Sequence, residues 1–165
     1  MIDALNELID ALRNELKQYG EMLALLDSQQ ELVTNRSPDD LLRVVGDINA
    51  QSGVIQAGRQ RRERSQQQLV AKLGLAEDAP FTILVPALPA EYRPLIKALV
   101  DENNELLVRV RQRARQNHLL LSRSLDLMQR FIATLLPPGR TPTYNETGGL
   151  LAPALPTHAL YEAVG

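Results

Sequence analysis

The apolar residues near the start of the chain are spaced alternately three and four positions apart. They form a single stripe made of Ile2, Leu5, Ile9, Leu12, Leu16, Tyr19, Leu23 and Leu26. Such a stripe repeats on average every 3.5 residues, which is the period of a coiled-coil seam. The intervening positions are mostly charged or amide side chains, so the helix must bury one narrow face against another helix. The pattern predicts helix 1 over about residues 2–35.

The end of helix 1 is predicted from the short segment Ser37-Pro38-Asp39-Asp40. It offers an N-cap serine, a proline at the first helical position and two carboxylates in the first turn of a new helix. This predicts helix 2 over about residues 38–73, with Gly74 in the left-handed position that closes a helix. The tight turn makes helices 1 and 2 antiparallel.

Helix 2 has a weaker apolar stripe and contains three glycines. Gly46, Gly53 and Gly58 each destabilise a helix interior by about 1 kcal/mol relative to alanine. Gly46 and Gly53 lie seven residues apart on one face, so they either admit a neighbouring helix closely or leave the helix locally loose. The second alternative is favoured, and the middle of helix 2 is expected to be the least stable part of the bundle.

An arginine cluster in helix 2, at positions 59, 61, 62 and 64, has two interpretations. It is either a nucleic-acid patch or a set of ion pairs with the acidic half of helix 1. In an antiparallel hairpin the numbers of facing residues sum to about 74, which pairs Arg59 with Glu15 and Arg64 with Asp10. The sequence pI of about 5.7 and the lack of interleaved aromatics favour ion pairing over nucleic-acid binding.

A proline-containing connector is predicted over residues 74–90, followed by helix 3 over about 91–136. An isolated strand in the connector would have no partner, so its apolar run predicts a short helical turn that covers one end of the bundle. Helix 3 ends before Pro137-Pro138. The fold class is therefore all-α: an elongated antiparallel bundle or coiled coil of three long helices with a short connector helix in residues 1–136, then a mobile tail over 137–165.

Several functional classes are disfavoured by composition. The chain has no cysteine, and neither His118 nor His158 has the spaced partners of a metal site or a catalytic triad. We therefore expect no enzymatic activity, no cofactor and no metal. The acidic first residues do not fit a secretory signal peptide, and no apolar run is long enough to span a membrane. The expected location is the cytoplasm.

Helix 3 carries more apolar surface than a bundle needs. From Leu119 to Ile132 the apolar residues are dense enough to cover more than one seam. Such a surface either receives an amphipathic helix from a partner or closes a homodimer, and the residues alone do not separate these two hypotheses.

The sequence contains two distinctive segments, Asn117-His-Leu-Leu-Leu-Ser-Arg-Ser-Leu125 and Thr143-Tyr-Asn-Glu-Thr-Gly148. Both resemble the FlgN family of flagellar type III export chaperones. The layout is also similar: an acidic heptad helix, an Arg/Gln-rich second helix, a proline-containing connector and a long final helix. The resemblance covers about residues 2–149.

The resemblance implies a cytoplasmic chaperone for the hook-filament junction proteins FlgK and FlgL. Such a chaperone binds the C-terminal helical region of its substrate, prevents premature polymerisation and delivers the substrate to the flagellar export apparatus. The resemblance implies that substrate is bound at Asn117, Leu120, Leu121, Ser124, Leu125, Met128, Ile132 and Tyr144. The alternative is a structural coiled-coil protein that self-associates through helix 3.

Overall fold

The computed structural model describes residues 1–135, which form four helices. Their bounds are α1 Ile2–Asn35, α2 Pro38–Lys72, α3 Phe81–Ala87 and α4 Arg93–Leu135. Every regular element within these residues is helical, which confirms the all-α class and the short connector helix. The predicted tail lies outside the described residues.

The turn between α1 and α2 reverses the chain in two residues. Arg36 adopts a left-handed conformation with φ 55°, and its backbone N–H donates to the carbonyl of Leu32. The carbonyl of Ser37 then accepts the N–H of Leu41 at 3.0 Å, and Pro38 occupies the first turn as predicted. Because proline fixes φ near the helical value, α2 starts immediately after the reversal.

Helix α1 lies between α2 and α4 and packs against both, whereas α2 and α4 make few direct contacts. This position requires two buried stripes on α1. The predicted seam supplies one, and the second contains Ala4, Leu8, Ala11, Glu15, Gln18 and Met22, all of which are buried. The second stripe includes alanine and polar residues, so it is invisible to a search for large apolar side chains.

Two asparagines fix how α4 lies on α1. The side-chain amide of Asn103 donates to the Leu12 carbonyl at 3.0 Å, and that of Asn117 donates to the Leu26 carbonyl at 2.7 Å. Both pairs are 91 residues apart, so α1 and α4 run parallel at constant register. A buried polar residue in a helical seam sets register in this way at some cost in stability.

The connector closes one end of the bundle. Leu84 of α3 and the following Leu88 are fully buried, and Phe81 packs against the same core. Their neighbours come from the start of α1, the end of α2 and the start of α4, including Leu5, Leu69 and Ile96. The predicted helical turn over the bundle end is thus observed.

The glycines of α2 have different surroundings. A Cβ at Gly46 or Gly53 would meet nothing within 4 Å, so neither position serves a close helix approach. A Cβ at Gly58 would instead collide with the side-chain amide of Gln18 on α1. Gly58 therefore leaves room for the Gln18 side chain between α1 and α2.

Candidate functional site

One continuous stripe follows the face of α4 that packs on α1. Its members are separated by three or four residues throughout: Ile96, Leu99, Asn103, Leu106, Val110, Ala114, Asn117, Leu121, Leu125, Met128, Ile132 and Leu135. Residues at this spacing lie on one side of a helix. The stripe therefore does not change face between the two halves of α4.

Burial along this stripe changes where α1 ends. At the common register, Asn35 at the end of α1 lies level with Asp126 of α4. Leu121 is half-buried, whereas Leu125 is 45% and Met128 58% exposed. The last turns of α4 thus present the continuation of a helix-packing interface with no helix against it among the described residues.

Further apolar side chains widen this end of α4. We call the set Leu125, Leu127, Met128, Phe131, Ile132 and Leu135 the exposed apolar face; each member is at least 45% exposed. The opposite side of the same turns is mostly polar and includes an ion pair between Arg130 and Asp126 at 3.0 Å. The end of α4 is therefore amphipathic, as a helix is when it binds another helix.

The residues implied by the family resemblance do not all lie on this face. Leu125, Met128 and Ile132 belong to it. Leu120 and Leu121 are half-buried at its inner edge, and the exposed hydroxyl of Ser124 donates to the Leu120 carbonyl at 2.9 Å. Tyr144 lies outside the described residues.

Asn117 is buried between α1 and α4, which does not fit the substrate-binding role that the resemblance implies. Its side chain is 1% exposed, and its amide donates to the Leu26 carbonyl and, at 2.9 Å, to Oε1 of Gln29. It cannot contact a substrate helix while α4 is packed on α1. We therefore assign Asn117 to the α1–α4 interface and leave it out of the binding face.

Asn117→Ala tests this assignment. The substitution removes two buried hydrogen bonds and leaves the Gln29 oxygen without a donor, so we expect the free energy of unfolding to fall by about 1–3 kcal/mol. Substrate affinity of the folded protein should stay within about twofold of wild type, because a residue this deeply buried makes no direct contact with a ligand. Urea denaturation and calorimetric titration measure the two quantities. A large loss of affinity with unchanged stability would return Asn117 to the binding face.

A buried charge network links α1 to α2. Glu15 is 4% exposed, and its two oxygens accept the Tyr19 hydroxyl at 2.9 Å and the Arg62 Nε–H at 3.2 Å. Arg62 also donates to Gln66 at 3.1 Å. These contacts satisfy the carboxylate away from water, as a buried charge requires.

The predicted partners within this network are corrected by the structure. Glu15 pairs with Arg62 rather than Arg59, and Asp10 pairs with Arg13 of its own helix rather than with Arg64. The facing sum of about 74 is only approximate: the observed pair Glu15–Arg62 sums to 77, whereas Gln18–Gln51 sums to 69. Arg62 is one turn beyond Arg59, and its long side chain reaches the Glu15 carboxylate.

Tyr19 is fully buried beside this carboxylate. Burial, with the adjacent Glu15 charge, raises the pKa of Tyr19 above its ordinary value. The phenol therefore remains protonated and keeps donating to Glu15 through the physiological range.

The raised pKa predicts an alkaline loss of stability. In the unfolded chain Tyr19 ionises near its ordinary value of about 10, whereas in the folded chain it ionises only at higher pH. The stabilisation is complete below about pH 10 and is lost above it, by up to about 1.4 kcal/mol per pH unit. Chemical denaturation between pH 9 and pH 11 measures this slope. Tyr19→Phe should reduce it, and an identical slope in the variant would contradict the assignment.

Within residues 1–135 no helix is long and apolar enough to cross a membrane, and no group of acidic, histidine or cysteine side chains is placed to hold a metal ion.

The fold and the exposed apolar face define a class: a helical bundle whose longest helix extends past its partners to present an apolar surface. The family model described as "FlgN protein" matches residues 1–152. The chain belongs to the FlgN family, a family of flagellar export chaperones. A search of curated proteins and a search of solved structures found no match.

Proposed function

We propose that the exposed apolar face of α4 binds the C-terminal helical region of FlgK and FlgL in the cytoplasm. The bound substrate is kept from polymerising and is delivered to the flagellar export apparatus. The observation that carries the proposal is the continuity of the α4 stripe, which is buried against α1 through Asn117 and exposed from Leu125 onward. Membership of a family of flagellar export chaperones supports this proposal.

The geometry defines how a substrate helix would dock. The stripe stays on one side of α4 along the whole helix. The substrate helix would therefore pack on the end of α4 as α1 packs on the earlier part. It lies on the turns that contain Met128, Phe131 and Ile132, beyond the α1–α2 turn at Arg36. Its own apolar stripe must therefore repeat every three or four residues, as the α1 stripe does.

The size of the face is sufficient for useful affinity. Apolar burial stabilises by about 25 cal/mol per Å², so a few hundred Å² gives several kcal/mol before the ordering costs of binding are subtracted. The thioether of Met128 adapts to substrates of different shape, which suits a chaperone with two related clients. Release requires only that a competing surface bind the substrate helix more tightly.

Self-association through the same face is the alternative function. A homodimer would cover the exposed apolar face of each protomer with that of the other. Light scattering on the purified chain separates the hypotheses: a monomer that forms an equimolar complex with FlgK or FlgL supports the chaperone. A tight dimer that does not exchange for either protein supports the structural role.

The direct test is affinity capture of the tagged full chain from its native cell, followed by mass spectrometry. We expect hook-associated proteins among the captured proteins, and we expect purified FlgK or FlgL to compete for the bait. Capture in which neither FlgK nor FlgL is retained, with both proteins expressed, would contradict the proposed substrates.

A further inference from the structure

A cleft of about 370 Å³ opens where all four helices meet, far from the exposed apolar face. Its floor is α1, with Leu12 and Tyr19, and its walls are α2 and α4. Phe81 of α3 borders one end. The cleft exists because α2 and α4 both pack on α1 but make few direct contacts with each other. Its volume is at the low end of the range for small-ligand sites.

Arg59 contributes a positive charge to this cleft. Its side chain is half-buried, and no hydrogen bond or ion pair joins it to another residue in the described part of the chain. The nearby Glu15 carboxylate is already satisfied by Tyr19 and Arg62. Asp101, on the α4 wall, is paired with Lys97 at 2.7 Å. The Arg59 guanidinium is therefore the one charged group lining the cleft that has no ion-pair partner among the described residues.

Asn103 fixes the position of the α4 wall of the cleft. Asn103 is 6% exposed, and its side-chain Nδ2 donates to the carbonyls of Leu12 and Leu99. Its Oδ1 is buried and accepts no hydrogen bond from residues 1–135. Because this oxygen has almost no accessible surface, Asn103 does not itself contact a ligand and instead holds the α4 wall against α1.

We propose that this cleft binds one acidic residue of a partner protein's peptide segment. Arg59 pairs with the side-chain carboxylate of that residue. The apolar surfaces of Leu12, Phe81 and Leu107 contact the aliphatic part of that residue. A single carboxylate matches the single unpaired charge, and the guanidinium offers the planar donors that carboxylates prefer.

This site is independent of the proposed substrate face. Asn103 lies two heptads before Asn117 on α4, and the exposed apolar face begins only after Asn117. A partner bound in the cleft therefore leaves the end of α4 uncovered. Either proposal can fail while the other holds.

The probe is N-acetyl-glutamate N-methylamide, titrated into the ¹⁵N-labelled full chain and followed by NMR. We expect saturable shifts of the Asn103 side-chain amide and the Arg59 Nε–H signal. The glutamine analogue of the probe should bind at least about tenfold more weakly, because it lacks the charge. Arg59→Gln should weaken the glutamate probe by a similar factor.

Arg61→Gln is the matched control, since Arg61 is an exposed arginine two positions away and does not line the cleft. It should leave the probe affinity unchanged. Equal binding of the glutamate and glutamine probes, equal weakening by the two arginine variants, or no saturable shift in wild type would each overturn the proposal. Because Arg59 makes no hydrogen bond or ion pair among the described residues, its replacement should preserve the fold, which circular dichroism checks.

Discussion

Met128→Asp combined with Ile132→Asp is expected to weaken binding of FlgK and FlgL at least about 100-fold. Both side chains are about half exposed in the free chain, so aspartate is readily tolerated before binding. In the complex each carboxylate would be buried against an apolar helix without a partner, which costs several kcal/mol. Calorimetric titration and co-purification measure the loss, and thermal denaturation should show a melting temperature close to wild type.

The matched control is Gln129→Asp combined with Ala133→Asp. It adds the same charges, at the same spacing, one residue further along the same turns, where both side chains are exposed. Because positions 129 and 133 lie off the α4 stripe, affinity should stay within a few-fold of wild type. Equal losses from the two double variants would show that charge on α4, rather than its apolar face, determines binding. Leu121 is less suitable for the test, since it is half-buried and a charge there also disturbs the bundle.

Arg62→Met is expected to lower the free energy of unfolding by about 3 kcal/mol. Glu15 is almost fully buried, so removal of the guanidinium leaves a carboxylate that keeps only its bond from Tyr19. The variant also loses the bond to Gln66, whose amide in turn holds the Ala79 carbonyl of the connector at 3.1 Å. Urea denaturation at pH 7 measures the change.

Two further variants make this prediction specific. Arg61→Met removes an exposed arginine one position away and should change stability by no more than about 0.5 kcal/mol. Glu15→Gln combined with Arg62→Met removes both charges and should regain a large part of the loss, because the cost comes mainly from the unpaired buried charge. If Arg62→Met is no more destabilising than Arg61→Met, the Glu15–Arg62 pair does not stabilise the bundle.

The hairpin of α1 and α2 could be predicted from the sequence because its signals are local. The heptad stripe from Ile2 to Leu26 and the Ser37-Pro38 start signal depend only on neighbouring residues. The same is true of the connector helix, where closely spaced apolar residues such as Leu84 and Leu88 sit between prolines. Proline fixes φ, and the spacing of the apolar residues indicates a helix, whatever the tertiary context.

The features that required the structure are all relations between distant segments. The second buried stripe of α1 contains Glu15 and Gln18, which look like surface residues until α2 is placed against them. Asn103 carried no recognisable signal, although its spacing of two heptads from Asn117 fits a pair of register-setting positions. The apolar density after Leu119 was visible in the sequence, but its exposure depends on where α1 ends.

Hydrogen exchange on the complex is the most direct test of the central claim, that the α4 stripe continues past α1 as a docking face. On addition of the C-terminal helical region of FlgK, backbone amides in residues 121–135 should become markedly more protected. Amides in residues 96–117, already packed on α1, should change little. Two results would contradict this claim: protection confined to α2, or binding of the FlgK region with no change in the exchange rates of the last turns of α4.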